Sequence, residues 1–155
     1  MEIKQVEEKD FPEILSLIKK EFPYVAISVE KIKERLAGKR IFVLKAVESN
    51  ELLGFVEAEI LTEGIARING LTVKPEHRKK GAATALLEKM LELLQEKGIR
   101  RVMLLVKQSN DEAKKLYSQK GFRFMGLYQR EIDRAMVEEM ELDISEKGET
   151  PSYVS

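Results

Sequence analysis

The sequence predicts a single α/β domain with a mixed sheet, and three observations carry that prediction. The chain has 155 residues, close to the roughly 150 expected of one domain. At that size a chain buries about 68–70% of its unfolded surface, so a core forms without staples. Segments of strand-like apolar patterning alternate with segments of helical spacing in the order β-α-α-β-β-β-α-β-α-β-β. Capping and stop residues punctuate the helical segments where the pattern changes.

Met1–Val6 alternates weakly and reads as the first strand. Asp10 before Phe11-Pro12-Glu13 reads as an N-cap with proline in the first turn, and Phe11, Ile14, Leu15, Ile18 and Phe22 follow on one helical face. Ser28 caps a second, short helix with Val29, Ile32 and Leu36 inward and Gly38 as its stop. Ile41–Val47 and Leu52–Leu61 are strands joined through Ser49-Asn50-Glu51, a hairpin signal. Strict alternation in the second puts Gly54, Val56, Ala58 and Ile60 on one face, with Leu53, Phe55, Glu57, Glu59 and Leu61 on the other.

Ile65–Val73 is a further strand. Asn69-Gly70 inside it could be a hairpin turn, but Leu71-Thr72-Val73 continues the strand, which favours a bulge. Ala82–Lys97 is the longest helix, with Leu86, Leu87, Met90, Leu91 and Leu94 inward and Gly98 past its end. Arg101–Lys107 holds an unbroken apolar stretch that suits a strand covered on both faces. Ser109-Asn110-Asp111-Glu112 matches a capping box, opening a helix with Ala113, Leu116 and Tyr117 inward and Gly121 as the stop. Phe122–Arg130 and Ala135–Ile144 complete the sheet, with Met140, Leu142 and Ile144 alternating with Glu139, Glu141 and Asp143. Residues 1–144 therefore form the domain, and the polar stretch 145–155 is expected to fray.

Composition excludes several function classes. Lys+Arg and Asp+Glu both number 27, a formal net charge of zero, which argues against a surface devoted to nucleic acid or anionic membrane. The absence of cysteine removes disulfides, thiolate nucleophiles and zinc–thiolate sites. A lone histidine cannot build a multi-histidine centre, so no metal is expected. The longest apolar run, Val102–Val106, falls far short of the ~20 residues of a membrane span. The start, MEIKQVEEKD, shows no basic segment leading into an apolar one, so the expected setting is cytoplasmic. Charged residues make up 35% of the chain, mostly Glu and Lys, a bias typical of thermophile surfaces.

The segment Val73–Thr84 concentrates the chemistry. A strand leads through Lys74-Pro75-Glu76-His77 into Arg78-Lys79-Lys80, then into Gly81-Ala82-Ala83 and the long helix. A helix N-terminus carries unpaired N–H groups and the equivalent of roughly +0.5 charge. Cations there cost on the order of 0.3–1 kcal/mol each where acids would help. An anion docked against the backbone donors supplies the missing negative charge, and small residues let its oxygens approach. The competing reading is a solvated basic turn before a poorly capped helix. The spacing is that of neither a Walker A loop nor a dinucleotide fingerprint.

Arg78-x-x-Gly81-x-Ala83, followed by Ser109-Asn110-x-x-Ala113-x-x-Leu116-Tyr117-x-x-x-Gly121-Phe122, resembles the two motifs of the GNAT superfamily of acetyl-CoA-dependent N-acetyltransferases. The resemblance spans Met1 to about Ile144. It implies a mixed, mostly antiparallel central sheet flanked by helices on both faces, with acetyl-CoA as co-substrate and no metal. The activity implied is transfer of acetyl to a primary amine, of a small molecule or a protein, by direct attack in a ternary complex. It leaves room for a homodimer.

By the same resemblance, Leu71, Thr72 and Val73 pair with the pantetheine arm, and the N–H of Leu71 or Val73 polarises the thioester carbonyl. Lys79, Lys80, Gly81, Ala82, Ala83 and Thr84 wrap the pyrophosphate, with Arg78 adding charge. Asn110 contacts the pantetheine, although its place at a helix start already has a structural explanation. Tyr117 is the catalytic residue, giving a proton or hydrogen bond to the departing thiolate, although its spacing with Ala113 also suits a core aromatic.

A base does not carry over, because Asn69 and Leu105 stand where relatives have Glu. Glu57, Glu59 and Glu63 lie nearby, each more simply read as exposed strand charge, and a water relay is equally tenable. His77 caps the turn or faces solvent. Phe22-Pro23-Tyr24 and Gln129–Met136 are expected to line the acceptor side, and the acids of the last strand read as a solubility device. A non-catalytic acyl-CoA sensor of the same fold is the alternative. An anion- or nucleic-acid-binding module is disfavoured by neutrality and by the lack of aromatics among the cations.

Overall fold

The computed structural model describes residues 1–145; the segment 146–155, and with it nearly all of the polar tail, lies outside the described residues. Strands β1 (Glu2–Gln5), β2 (Ile41–Glu48), β3 (Glu51–Thr62), β4 (Ile65–Val73), β5 (Arg101–Lys107), β6 (Arg123–Leu127) and β7 (Val137–Asp143) form one sheet, ordered β1-β2-β3-β4-β5-β7-β6. Every neighbouring pair is antiparallel except β4–β5. Helices α1 (Phe11–Glu21) and α2 (Val29–Ala37) lie on one face, and α3 (Ala82–Glu96) and α4 (Asp111–Gln119) on the other. The element order and the mixed sheet with helices on both faces agree with the sequence reading.

Two cores result. Leu86, Leu87, Met90 and Leu94 of α3 pack with Val56, Ala58, Ala66, Val102 and Leu104 of the sheet. Ile14, Leu17 and Ile18 of α1 pack with Val43, Leu52 and Phe55 on the opposite face. Leu17 rather than Leu15 is the buried partner on α1.

Several local expectations are corrected. Asp10 does not cap α1: its carboxylate accepts from the Glu7 N–H at 2.7 Å and from Lys45 Nζ at 2.6 Å, closing the 3-10 turn Glu8–Asp10 and neutralising a buried lysine. Strict alternation fails in β3. Ala46 faces Gly54 while Val47 faces Leu52, so Leu53 is an extra residue, and it joins Val56 in the α3-side core instead of sharing the face of Phe55. Gly54 beside this bulge lies against β4, where a Cβ would sit 2.8 Å from the Val73 Cα. The two strands can meet this closely only without a side chain at 54. In β5, Val102, Leu104 and Val106 are buried while Met103 and Leu105 are only half-covered. One face of that strand is core and the other borders a cleft. Asn110, not Ser109, caps α4.

Candidate active site

The cleft exists because β4 and β5 separate. They pair only from Ile65↔Arg101 to Ile68↔Leu104. In the β3–β4 ladder Ala58 faces Ile68 and Glu57 faces Gly70, so Asn69 is bulged out. The bulge expected at Asn69-Gly70 is therefore present, and pairing with β5 ends there. Beyond it β4 stays with β3 as far as Val73, and β5 stays with β7 as far as Lys107. The wedge between them opens into a cleft of about 810 Å³ lined by β4, the 77–84 loop, the end of β5 and α4. The β4 edge facing β5 thus carries backbone groups without a strand partner along Leu71-Thr72-Val73.

The loop turns into α3 through two left-handed residues, Lys79 (φ 65°) and Gly81 (φ 84°). No side chain caps α3, and its first turn has no acid. The N–H groups of Ala82, Ala83 and Thr84 therefore lack helical partners and border the cleft. A Cβ at Gly81 would meet nothing within 4 Å, so the space before the helix end is open.

The cations of the loop separate into two groups. Lys74 pairs with Glu13 at 2.5 Å, and His77 Nε2 lies 2.8 Å from Glu51 Oε1. Arg78 Nε donates to the Val73 carbonyl at 3.0 Å, tying the loop to the end of β4, with Glu21 3.7 Å from its guanidinium. Among the described residues, Lys79 and Lys80 have no carboxylate at ion-pair distance. Lys79 and the helix end supply unneutralised positive charge at this end of the cleft.

Tyr117 is buried, its ring edge-on to Phe122 at 5.6 Å between centroids, yet it borders the cleft. Burial pushes its phenol up to about 12. Asn110 Oδ1 accepts from the Ala113 N–H at 3.2 Å, which caps α4, and Asn110 borders the cleft. Leu71, Thr72, Val73, Arg78, Lys79, residues 81–84, Asn110 and Tyr117 thus all border one cavity, and Lys80 does not.

The structure also brings together residues that spacing did not connect. Glu57 is not exposed strand charge but 8% exposed, held bidentately by Arg35 at 3.0 and 2.6 Å. Lys107 Nζ lies 3.1 Å from Asp133 Oδ2 and 5.8 Å from the centre of the Tyr24 ring. This contact joins the α1–α2 connection to the β6–β7 connection. Glu138, buried in β7, is paired by Lys114 at 2.8 Å, which holds α4 against the sheet. No local signal marks these partners, since each lies on a different element.

A parted β4–β5 edge runs into an uncapped helix and faces a buried tyrosine, and comparison with known proteins gives the class of this arrangement. Residues 3–122 match the model of the acetyltransferase (GNAT) family, and the chain belongs to that family. It is an N-acetyltransferase. Over 120 residues it is 32% identical to the [ribosomal protein bS18]-alanine N-acetyltransferase of Haemophilus influenzae, covering 77% of this chain and 80% of that protein. The fold is shared with the crystal structure of the ribosomal-protein-S18-alanine N-acetyltransferase from Escherichia coli (TM-score 0.78, 24% identity, 98% of this chain and 99% of that one). It is also shared with the PaiA N-acetyltransferase from Thermoplasma acidophilum in complex with coenzyme A (TM-score 0.72, 21% identity, 89% and 96%). Among the described residues no helix is long and apolar enough to cross a membrane.

Proposed function

We propose that this N-acetyltransferase moves the acetyl group of acetyl-CoA to the α-amine of a polypeptide, by direct attack in a ternary complex within the β4–β5 cleft. The observation that carries the reading is the uncapped N-terminus of α3 facing open space beside Lys79. Three backbone donors and a helix dipole match the diphosphate of the coenzyme. The coenzyme-bound fold relative supports the cofactor, and the bS18-alanine relative supports the acceptor class and a cytoplasmic location.

In this reading the unpaired β4 edge at Leu71-Thr72-Val73 takes the pantetheine arm. The amine lone pair forms a C–N bond at the thioester carbon, and the oxygen's growing negative charge is met by the N–H of Leu71 or Val73. Collapse breaks the C–S bond and leaves a thiolate beside Tyr117. A phenol at about 12 is a weaker acid than a thiol, about 8.5 for cysteine, so full proton transfer to the thiolate runs uphill. Tyr117 therefore stabilises the thiolate by donating a hydrogen bond, and the proton released by the amine passes to water.

Among the described residues, neither Glu57 nor Glu59 borders the cleft. Both oxygens of Glu57 accept from Arg35 and one also from Asn69, while Glu59 accepts from Asn69 and Arg67. In this reading the amine proton leaves through a water relay.

Calorimetry with acetyl-CoA, followed by a thiol-release assay with an N-terminal peptide, tests the proposal. Saturable binding, with one free thiol per acetylated peptide, is expected. Binding without thiol release would establish the sensor instead, and absence of binding at modest ionic strength would end the cofactor reading.

A further inference from the structure

Asn69 borders the cleft, yet the polar atoms of its side chain are engaged on the protein side. Its Nδ2 donates to Glu57 Oε2 at 2.7 Å and to Glu59 Oε1 at 3.1 Å, and its Oδ1 accepts from Arg67 Nε at 2.8 Å. Glu57 is in turn gripped by Arg35 of α2, and Arg67 Nη2 reaches Glu59 at 3.3 Å. The cluster therefore spans α2, β3 and β4, and it closes on the one β4 residue that has no partner in the β3 ladder.

A bulge is one residue away from a regular ladder. If Asn69 slipped back into register, Gly70–Val73 would shift by one position and every side chain beyond would change face. Thr72 and Val73, both buried here, would exchange environments. Parallel pairing with β5, which now stops at Ile68↔Leu104, could then continue and close the wedge. Hydrogen bonds to charged groups are the stronger kind, and two of them anchor the Asn69 amide on carboxylates.

We infer that Asn69 is a positioning residue: clamped between Glu57, Glu59 and Arg67, its side chain holds the bulge that parts β4 from β5 and so presents the edge that receives the coenzyme arm. This rests on the acetyl-CoA reading above. It also gives Asn69 a role that needs no proton transfer.

The test is Asn69→Val, which keeps a strand-forming residue but no clamp, beside Glu59→Gln, which keeps a carbonyl acceptor for the Asn69 amide. Acetyl-CoA KM in Asn69→Val is expected to rise about tenfold, the weight of a charged-group hydrogen bond, while kcat at saturation stays within about threefold. Glu59→Gln is expected to stay within about twofold of wild type on both parameters. Amide exchange along residues 70–73 is expected to slow in Asn69→Val as the wedge closes. A purely structural role would lower the active fraction and Tm but leave KM unchanged, and that result, or unaltered exchange, overturns the inference. Should Asn69→Val fail to fold, Asn69→Ala is read by the same two measurements. Wild-type protein that binds no acetyl-CoA overturns the cofactor reading itself, whereas tight binding by both wild type and variant overturns only the role of Asn69.

Discussion

The two ends of the cleft are built on opposite plans. The end proposed for the coenzyme is one continuous stretch, Leu71 to Thr84, in which backbone N–H donors work beside the charge of Lys79, while Arg78 braces the loop. The end proposed for the acceptor is assembled from Tyr24 in the α1–α2 connection, Lys107 at the end of β5 and Asp133 in the β6–β7 connection. A backbone-built site depends on local conformation, so a few adjacent residue types specify it. A side-chain-built site depends on where three distant segments meet, and its chemistry can change without disturbing the fold. The coenzyme end should therefore respond sharply to single changes in conformation or charge, and the acceptor end weakly to each.

Gly81→Glu gives the largest effect. It places a carboxylate where the diphosphate would sit, and like-charge juxtaposition costs several kcal/mol. Acetyl-CoA affinity is expected to fall by about 100-fold or more, read by calorimetry. Stability should fall by no more than about 1–2 kcal/mol, because an acid at a helix N-terminus contributes about 0.3–1 kcal/mol while the left-handed φ of 84° costs a side chain about 1–2 kcal/mol. Unimpaired binding would mean that the helix end is not the anion site.

Tyr117→Phe follows. Removing one donor aimed at developing negative charge typically costs about 100-fold in kcat, and acetyl-CoA KM should stay within about twofold. Steady-state kinetics with saturating peptide decides it, and wild-type kcat would assign Tyr117 to the core alone.

This contrast also explains what could be read beforehand. The uncapped α3, the bulge at Asn69-Gly70 and the cap-to-glycine span of α4 each depend on neighbours within a few residues, so periodicity and capping rules reach them. The bulge at Leu53 escaped because it answers to Gly54 packing on Val73, a contact between strands. Asp10 has the residue type of a cap, yet the buried ammonium of Lys45 competes for its carboxylate. Glu57 reads as an exposed strand acid until α2 brings Arg35 across it. In each case the deciding partner lies far away in sequence, which is the property that sets the acceptor end apart from the coenzyme end.

The pH dependence tests whether a protein base serves the acceptor. With none, kcat/KM should track the free amine, rising about tenfold per pH unit up to an α-amino pKa of about 7.7–8.0. It should then stay level through pH 10, because the Tyr117 phenol at about 12 remains protonated across that range. A stopped-flow or continuous thiol assay from pH 6 to 10 measures both limbs. An acidic limb that breaks well below the amine pKa would reveal a carboxylate base, and a decline before pH 10 would mean that the phenol ionises earlier than its burial implies.

Lys107→Met should give the smallest effect, and it tests the comparison most directly. Lys107 is partly exposed, so its pairing with Asp133 is worth about 0–1 kcal/mol and its contact with the Tyr24 ring about 0.5–1 kcal/mol. Losing both frees the α1–α2 connection from the β6–β7 connection, whose Asp133 and Arg134 sit at φ 52° and 59°. Methionine keeps the apolar stem against the cleft wall while removing the charge. Peptide KM is therefore expected to change about threefold, with acetyl-CoA KM nearly unmoved and Tm lowered by a few degrees at most. If acetyl-CoA KM rises as far as peptide KM, Lys107 reaches the β4 edge through the end of β5, and the two ends of the cleft are mechanically one.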